Sequence, residues 1–194
     1  LLDNGLISCW GYGDYGQLGN GGTTGTNVPT LTSSLGTGRT AIALSSGQDH
    51  TCALLDNGSV SCWGDSYLGQ LGNGMYYSLT PTLTDSFGTG RTAVALSSGS
   101  FHTCAILDNG AVSCWGMGWH GQLGNGGAPF KQNTPVLVSS FGSGRTALAI
   151  SAGFSHTCAI LDTGLVSCWG AGTSQGGGGD YGQLGNGGST GSAV

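Results

Sequence analysis

The chain has 194 residues, 41 of them glycine, with only 7% charged residues and a net charge of −5. Its four basic residues cannot supply the cationic footprint that a phosphate backbone requires, which argues against nucleic acid as a partner. No apolar run approaches the ~20 residues of a membrane-spanning helix, so no membrane insertion is expected.

The first element met is a fragment, LLDNGLISCWG at 1–11, and it returns inside a longer block. That block reads HTCALLDNGSVSCWG at 50–64, HTCAILDNGAVSCWG at 102–116 and HTCAILDTGLVSCWG at 156–170. Trp10, Trp63, Trp115 and Trp169 therefore stand 53, 52 and 54 residues apart. A second block, GQLGNG, follows at 16–21, 69–74, 121–126 and 182–187, and a third, GRTA with an apolar stretch and a Gly, at 38–47, 90–99 and 144–153. A fixed period of this length marks a repeat architecture. Val, Thr, Ile, Tyr and Trp between Gly-rich turns mark its elements as β-strands, and glutamate, a strong helix former, is absent.

Within one period four short strands are predicted. The first is Thr40–Ser46, where Ile42 and Leu44 alternate with small residues, as suits a strand buried on both faces. The second is His50–Leu55 and the third Ser59–Gly64. The fourth follows the GQLGNG loop and is exemplified by Pro29–Ser34, with Pro29, Pro81 and Pro135 at its start, where a missing N–H costs least. The expected repeat units are roughly 1–34 (partial), 35–86, 87–140 and 141–194 (partial).

The middle hairpin can be specified further. Asp56-Asn57-Gly58 suits a three-residue loop closed by a left-handed glycine, which pairs Leu54 with Val60 and Cys52 with Cys62. Alternation from the loop puts the cysteines at a non-hydrogen-bonded site, where Cα atoms approach to ~4.5 Å, within disulfide range. It also puts Trp63 on the opposite face, beside Thr51 and Ala53. Disulfides Cys52–Cys62, Cys104–Cys114 and Cys158–Cys168 are expected, and Cys9, as the second member of a fourth pair, is expected to bond outside the chain. They imply an oxidising compartment, the extracellular space or a cell surface. A metal site is disfavoured, because one His and two Cys per repeat fall short of the four ligands zinc needs, and no cofactor is expected.

A Gly before HTxAL, a Gly turn, V-S-x-W-G and GQLGNG, repeated in register along essentially the whole chain, resemble the regulator of chromosome condensation repeat. The resemblance implies an all-β fold: a β-propeller of four-stranded antiparallel blades, seven in family members, of which this chain would cover about 3.7 repeats. Functions in the family vary, from nucleotide exchange on a small GTPase to chromatin binding and, in a secreted bacterial relative, inhibition of a β-lactamase. Paired cysteines and sparse charge set this sequence apart from the nuclear members and make the secreted bacterial ones the nearer comparison. Nothing in it resembles a histone-binding arm or a GTPase-contacting wedge.

Polar residues that recur in every repeat are read as structural. His50, His102 and His156 are expected to bond backbone at a strand start, Gln17, Gln70, Gln122 and Gln183 to satisfy loop amides, and Arg39, Arg91 and Arg145 to tie neighbouring loops. No catalytic constellation stands out, since there is no G-x-S-x-G elbow and no glutamate for a paired-carboxylate site. Repeat-specific residues offer the candidate binding surface: Tyr76, Tyr77, Trp119, His120, Phe130 and Lys131, aromatic-rich and grouped after the W-G dipeptides. The insertion Thr173–Gly179 also differs between repeats, and Gly176–Gly179 with Asp180 bears a faint likeness to calcium-binding repeats. Asn57-Gly58-Ser59 is a glycosylation sequon on an exposed turn. The expectation is a non-enzymatic extracellular recognition, adhesion or scaffolding module that binds a protein or glycan partner through its loops. The alternative is a structural subunit of a surface layer or filament, binding copies of itself.

Overall fold

A computed structural model describes residues 1–171 and 182–185. Among these residues there are thirteen strands and no helix. β1 (Ser8–Gly11) and β2 (Thr26–Leu31) form a two-stranded sheet. β3 (Ala41–Ser46), β4 (His50–Leu55), β5 (Val60–Asp65) and β6 (Tyr77–Leu83) form a four-stranded antiparallel sheet in sequence order. β7 (Ala93–Ser98), β8 (His102–Leu107), β9 (Val112–Met117) and β10 (Lys131–Leu137) repeat it. β11 (Ala147–Ala152), β12 (His156–Leu161) and β13 (Val166–Gly170) form three strands of the next. We number these sheets as blades one to four of a partial propeller.

The central hairpin has the register its sequence specifies. Leu54 lies opposite Val60 and Cys52 opposite Cys62, with Gly58 at φ +77° closing the turn. Leu55 N donates to Ser59 O at 2.9 Å, so alternation leaves Cys52 and Cys62 at a narrow, non-hydrogen-bonded pair with Cα atoms 4.1 Å apart. Disulfides join Cys52–Cys62, Cys104–Cys114 and Cys158–Cys168, while Cys9 is free and half-buried.

Two strands differ from the sequence reading. The fourth strand starts earlier, so Pro29, Pro81 and Pro135 lie inside β2, β6 and β10 and not at their starts. Each falls where the pairing register skips, for example between Cys62↔Thr82 and Gly64↔Ser78. A bulge on an outer strand demands no ladder N–H, and so it accommodates the ring. In the first strand the register skips between Ala41 and Ala43. The bulge turns Ile42 outward, leaving it 57% exposed instead of buried, and Val94 and Leu148 repeat the feature.

Packing runs from blade to blade. One face of blade two presents Cys52, Leu54, Val60 and Cys62 to Ala93, Ala105 and Trp115 of blade three. Its other face presents Ala53, Leu55 and Trp63 to Ile7 and Leu35 of blade one. Trp63, Trp115 and Trp169 are fully buried at equivalent positions. The second Gly of each GQLG makes this possible. Gly19 has φ +69°, and a Cβ there would lie 2.6 Å from Trp63 Nε1. First strands of neighbouring blades are also bonded, with Ser98 N donating to Ser45 Oγ at 2.7 Å and Ala152 N to Ser97 Oγ at 2.9 Å.

Candidate functional site

The recurring polar residues are consumed in holding blades together. Gln17 O accepts from both Trp63 Nε1 (2.9 Å) and Thr51 Oγ1 (3.0 Å) of the next blade. Gln70 O and Gln122 O do the same for Trp115 with Thr103 and for Trp169 with Thr157. The glutamine side chains satisfy loop amides as expected, Gln70 Oε1 accepting from Leu68 N at 2.9 Å.

The histidines correct the sequence reading, because their ring partner is a hydroxyl on the next blade and not backbone. His50 Nε2 meets Thr103 Oγ1, and His102 Nε2 meets Thr157 Oγ1, each at 2.9 Å. Since each threonine spends its one proton on a glutamine carbonyl, the imidazole must be the donor, which fixes the neutral Nε2–H tautomer. Burial lowers the pKa of His50 to about 4 and that of His102 to about 3. Both Nδ1 atoms are buried without a partner. Arg39 and Arg91 tie the loops before β3 and β7 to the hairpin turns at Asp56 and Asp108 across 3.3 and 3.2 Å.

At the opposite end of the blades lie the loops after β1, β5 and β9, and here the repeats diverge. The sequence-predicted residues fall into two groups. Lys131 Nζ donates to Tyr67 O at 2.8 Å and sits 5.6 and 5.1 Å from the ring centres of Tyr67 and Tyr76. Trp119 packs edge-on against Phe130 at 4.8 Å. Tyr76, Tyr77 and Trp119 are all exposed, at 66%, 62% and 59%. His120 is only partly exposed, its N–H donating to Gln122 Oε1 at 2.9 Å. Asn57 lies exposed in its turn, at the other end, with Oδ1 accepting from Ser59 N at 3.1 Å. Thr173–Gly179 and Asp180 lie outside the described residues.

Sequence reasoning missed several members of this rim. Tyr12 and Tyr15 make an edge-on pair at 6.2 Å on blade one, and Tyr67 joins the Lys131 group. Phe101 and Phe154 pair at 6.0 Å on the loops after β7 and β11. Tyr12, Tyr67 and Trp119 all fall shortly after a W-G dipeptide, a signal that comparison of all four loops carries. Acids gather on the first half of the rim. Gln70 Nε2 donates to Asp65 Oδ2 at 2.9 Å and Gln17 Nε2 to Asp49 Oδ1 at 3.3 Å. The Asp49 carboxyl is pushed up by burial and then by the charge of Asp65, and the Tyr12 hydroxyl by its hydrogen bond to Asp14. Among the described residues no three His, Cys or acidic side chains are grouped to hold a metal ion.

The profile described as "Regulator of chromosome condensation (RCC1) repeat" matches residues 4–54 and 109–160, and a second profile of the same description matches 41–70, 93–122 and 148–176. The chain belongs to the regulator of chromosome condensation repeat family. Ultraviolet-B receptor UVR8 of Arabidopsis thaliana is 32% identical to this RCC1-repeat chain over 90% of its length. Among solved structures, human WBSCR16 covers the whole chain with a TM-score of 0.85 at 24% identity. Prp20p of Saccharomyces cerevisiae, whose structure is described with its binding to Gsp1p and histones, covers 86% with a TM-score of 0.73 at 25% identity. The ectodomain of the Physcomitrella patens receptor kinase CR4 covers 81% with a TM-score of 0.50 at 26% identity. The chain spans 39% of UVR8, and 48%, 42% and 38% of the three structures in turn.

Proposed function

We propose that this RCC1-repeat chain is a non-enzymatic recognition module of the extracellular space or cell surface, binding a protein or glycan partner through the loops after β1, β5 and β9. One observation carries the reading. Residues common to every blade are bonded within or between blades, whereas the exposed aromatics Tyr67, Tyr76 and Trp119 stand on loops that differ from blade to blade, with Tyr77 at the strand start that follows one of them. Exposed Tyr and Trp on a rigid scaffold are the material of binding hot spots. Protein binding by the related Prp20p supports the choice of a macromolecular partner. The three disulfides support an oxidising compartment.

The test is Tyr77→Ala combined with Trp119→Ala, assayed for binding to an array of glycans and secreted proteins. Binding about tenfold weaker than that of the parent, with the melting temperature within about 2 °C, is the expected result. Equal binding by parent and variant would place recognition elsewhere. Self-association of the parent, lost in the variant, would favour the filament reading.

A further inference from the structure

Between the loops of blades one and two lies a pocket of about 440 Å³ lined by Asp14, Tyr15, Asp65, Tyr67, Tyr76 and Tyr77, together with Thr23 and Leu79. Four π faces and two carboxylates line it, and no basic residue does. We infer that this pocket takes the basic side chain of a partner protein, arginine above all, seated on the tyrosine faces with its N–H groups turned to Asp14 and Asp65. The inference rests on reading the rim as a binding surface and names the chemistry of one contact on it.

Three observations carry it. First, two of these rings already seat a cation: the Lys131 ammonium lies within 6 Å of the Tyr67 and Tyr76 ring centres, so the same π-systems are placed to attract positive charge. Second, the arginines are kept away from this rim, whose basic residue is Lys131. The arginines precede β3, β7 and β11 at the far end of the blades, where Arg39 and Arg91 are paired. The near rim of blades one and two holds Asp14, Asp49 and Asp65. Third, the carboxylates select a cation that carries N–H donors. A planar guanidinium stacks on an aromatic face while its edge donates to carboxylates, which a quaternary ammonium cannot do.

The experiment titrates the chain with N-acetyl-arginine methylamide and with its neutral citrulline counterpart, followed by amide chemical shifts. Saturable arginine binding centred on Tyr15, Tyr67, Tyr76 and Tyr77, with citrulline about tenfold weaker, is expected. Asp14→Asn should weaken arginine binding about threefold with an unchanged melting temperature. Lys131→Met should strengthen it about twofold by removing a like charge beside the rings. Citrulline binding as tightly as arginine, shifts centred elsewhere, or an Asp14→Asn variant that binds arginine as well as the parent would each overturn the inference. Loss of partner binding in the Tyr77→Ala, Trp119→Ala variant together with equal arginine and citrulline binding would sink the pocket while sparing the rim. Arginine selectivity without any effect of that double variant would do the reverse.

Discussion

In blade two the side-chain amide of Gln70 donates to Asp65. In blade three the equivalent Gln122 Nε2 is buried with no partner, because Met117 stands where Asp65 does. The main-chain carbonyls of the two glutamines are nonetheless used alike, each accepting from the buried tryptophan of the next blade. The fold thus constrains the loop backbone strictly and the rim side chains weakly. That freedom turns an acidic, tyrosine-lined surface on one blade into an apolar surface of Trp119, Phe130 and Phe101 on the next.

If the two blades are equivalent below the rim, removing their central side chains should cost the same. Trp63→Ala and Trp115→Ala should each lower unfolding free energy by about 3–5 kcal/mol, and a gap above about 1 kcal/mol in urea titrations would break the equivalence. Replacing Cys52 and Cys62 by Ala, or Cys104 and Cys114, should each cost about 3 kcal/mol on the chain-entropy estimate for a loop of this length.

Acid sharpens the comparison. Unfolded histidine takes up a proton near pH 6.5, whereas buried His50 resists until about 4 and His102 until about 3. The unfolded state therefore binds more protons, and stability present above pH 6.5 is lost as pH falls from there toward those folded-state values. At pH 5 each should have cost about 2 kcal/mol relative to neutral pH. The loss continues below pH 4 for His102 after it has levelled off for His50. Denaturation midpoints of His50→Gln and His102→Gln against pH would show whether each removes its share.

At the rim the blades should part. Asp65→Ala leaves the Gln70 amide in the state that Gln122 already occupies, and should cost about 1–3 kcal/mol. No measurable loss in a chemical denaturation curve would mean that the amide finds another acceptor. The smallest effect belongs to the paired arginines. Arg39→Ala and Arg91→Ala should each cost under about 1 kcal/mol, shrinking further at 1 M salt, since both ion pairs are more than a third exposed.

The hairpin was legible in the sequence because its register follows from local rules, a left-handed Gly58 and strict alternation, and these placed Cys52 against Cys62 and Trp63 opposite them. The bulges at Ile42 and at Pro29, Pro81 and Pro135 were not, because a skipped residue preserves the apolar pattern while changing which face each side chain takes. The hydroxyl partner of His50 was hidden for a different reason. It lies on the next blade, and sequence period alone does not say which polar residue of one repeat meets which of its neighbour. On the rim, Tyr76, Tyr77, Trp119 and Phe130 were visible as departures from the repeat. Tyr15 became a member only once two loops were seen to share a pocket.

The bonds between blades have a consequence for how such a chain changes in length. The junctions of blade two with three and of three with four are closed by the same few partners: a histidine reaching forward to a threonine, and a tryptophan and that threonine reaching back to one glutamine carbonyl. Duplicating or excising one whole period would join a forward histidine to a backward threonine and tryptophan once more. The bonds of these recurring partners would be remade at every such seam. Gene segments of this size can therefore be gained or lost without stranding the histidine, threonine, tryptophan and glutamine carbonyl that close a seam, and a sequence can change its copy number while each copy keeps its rim free to diverge.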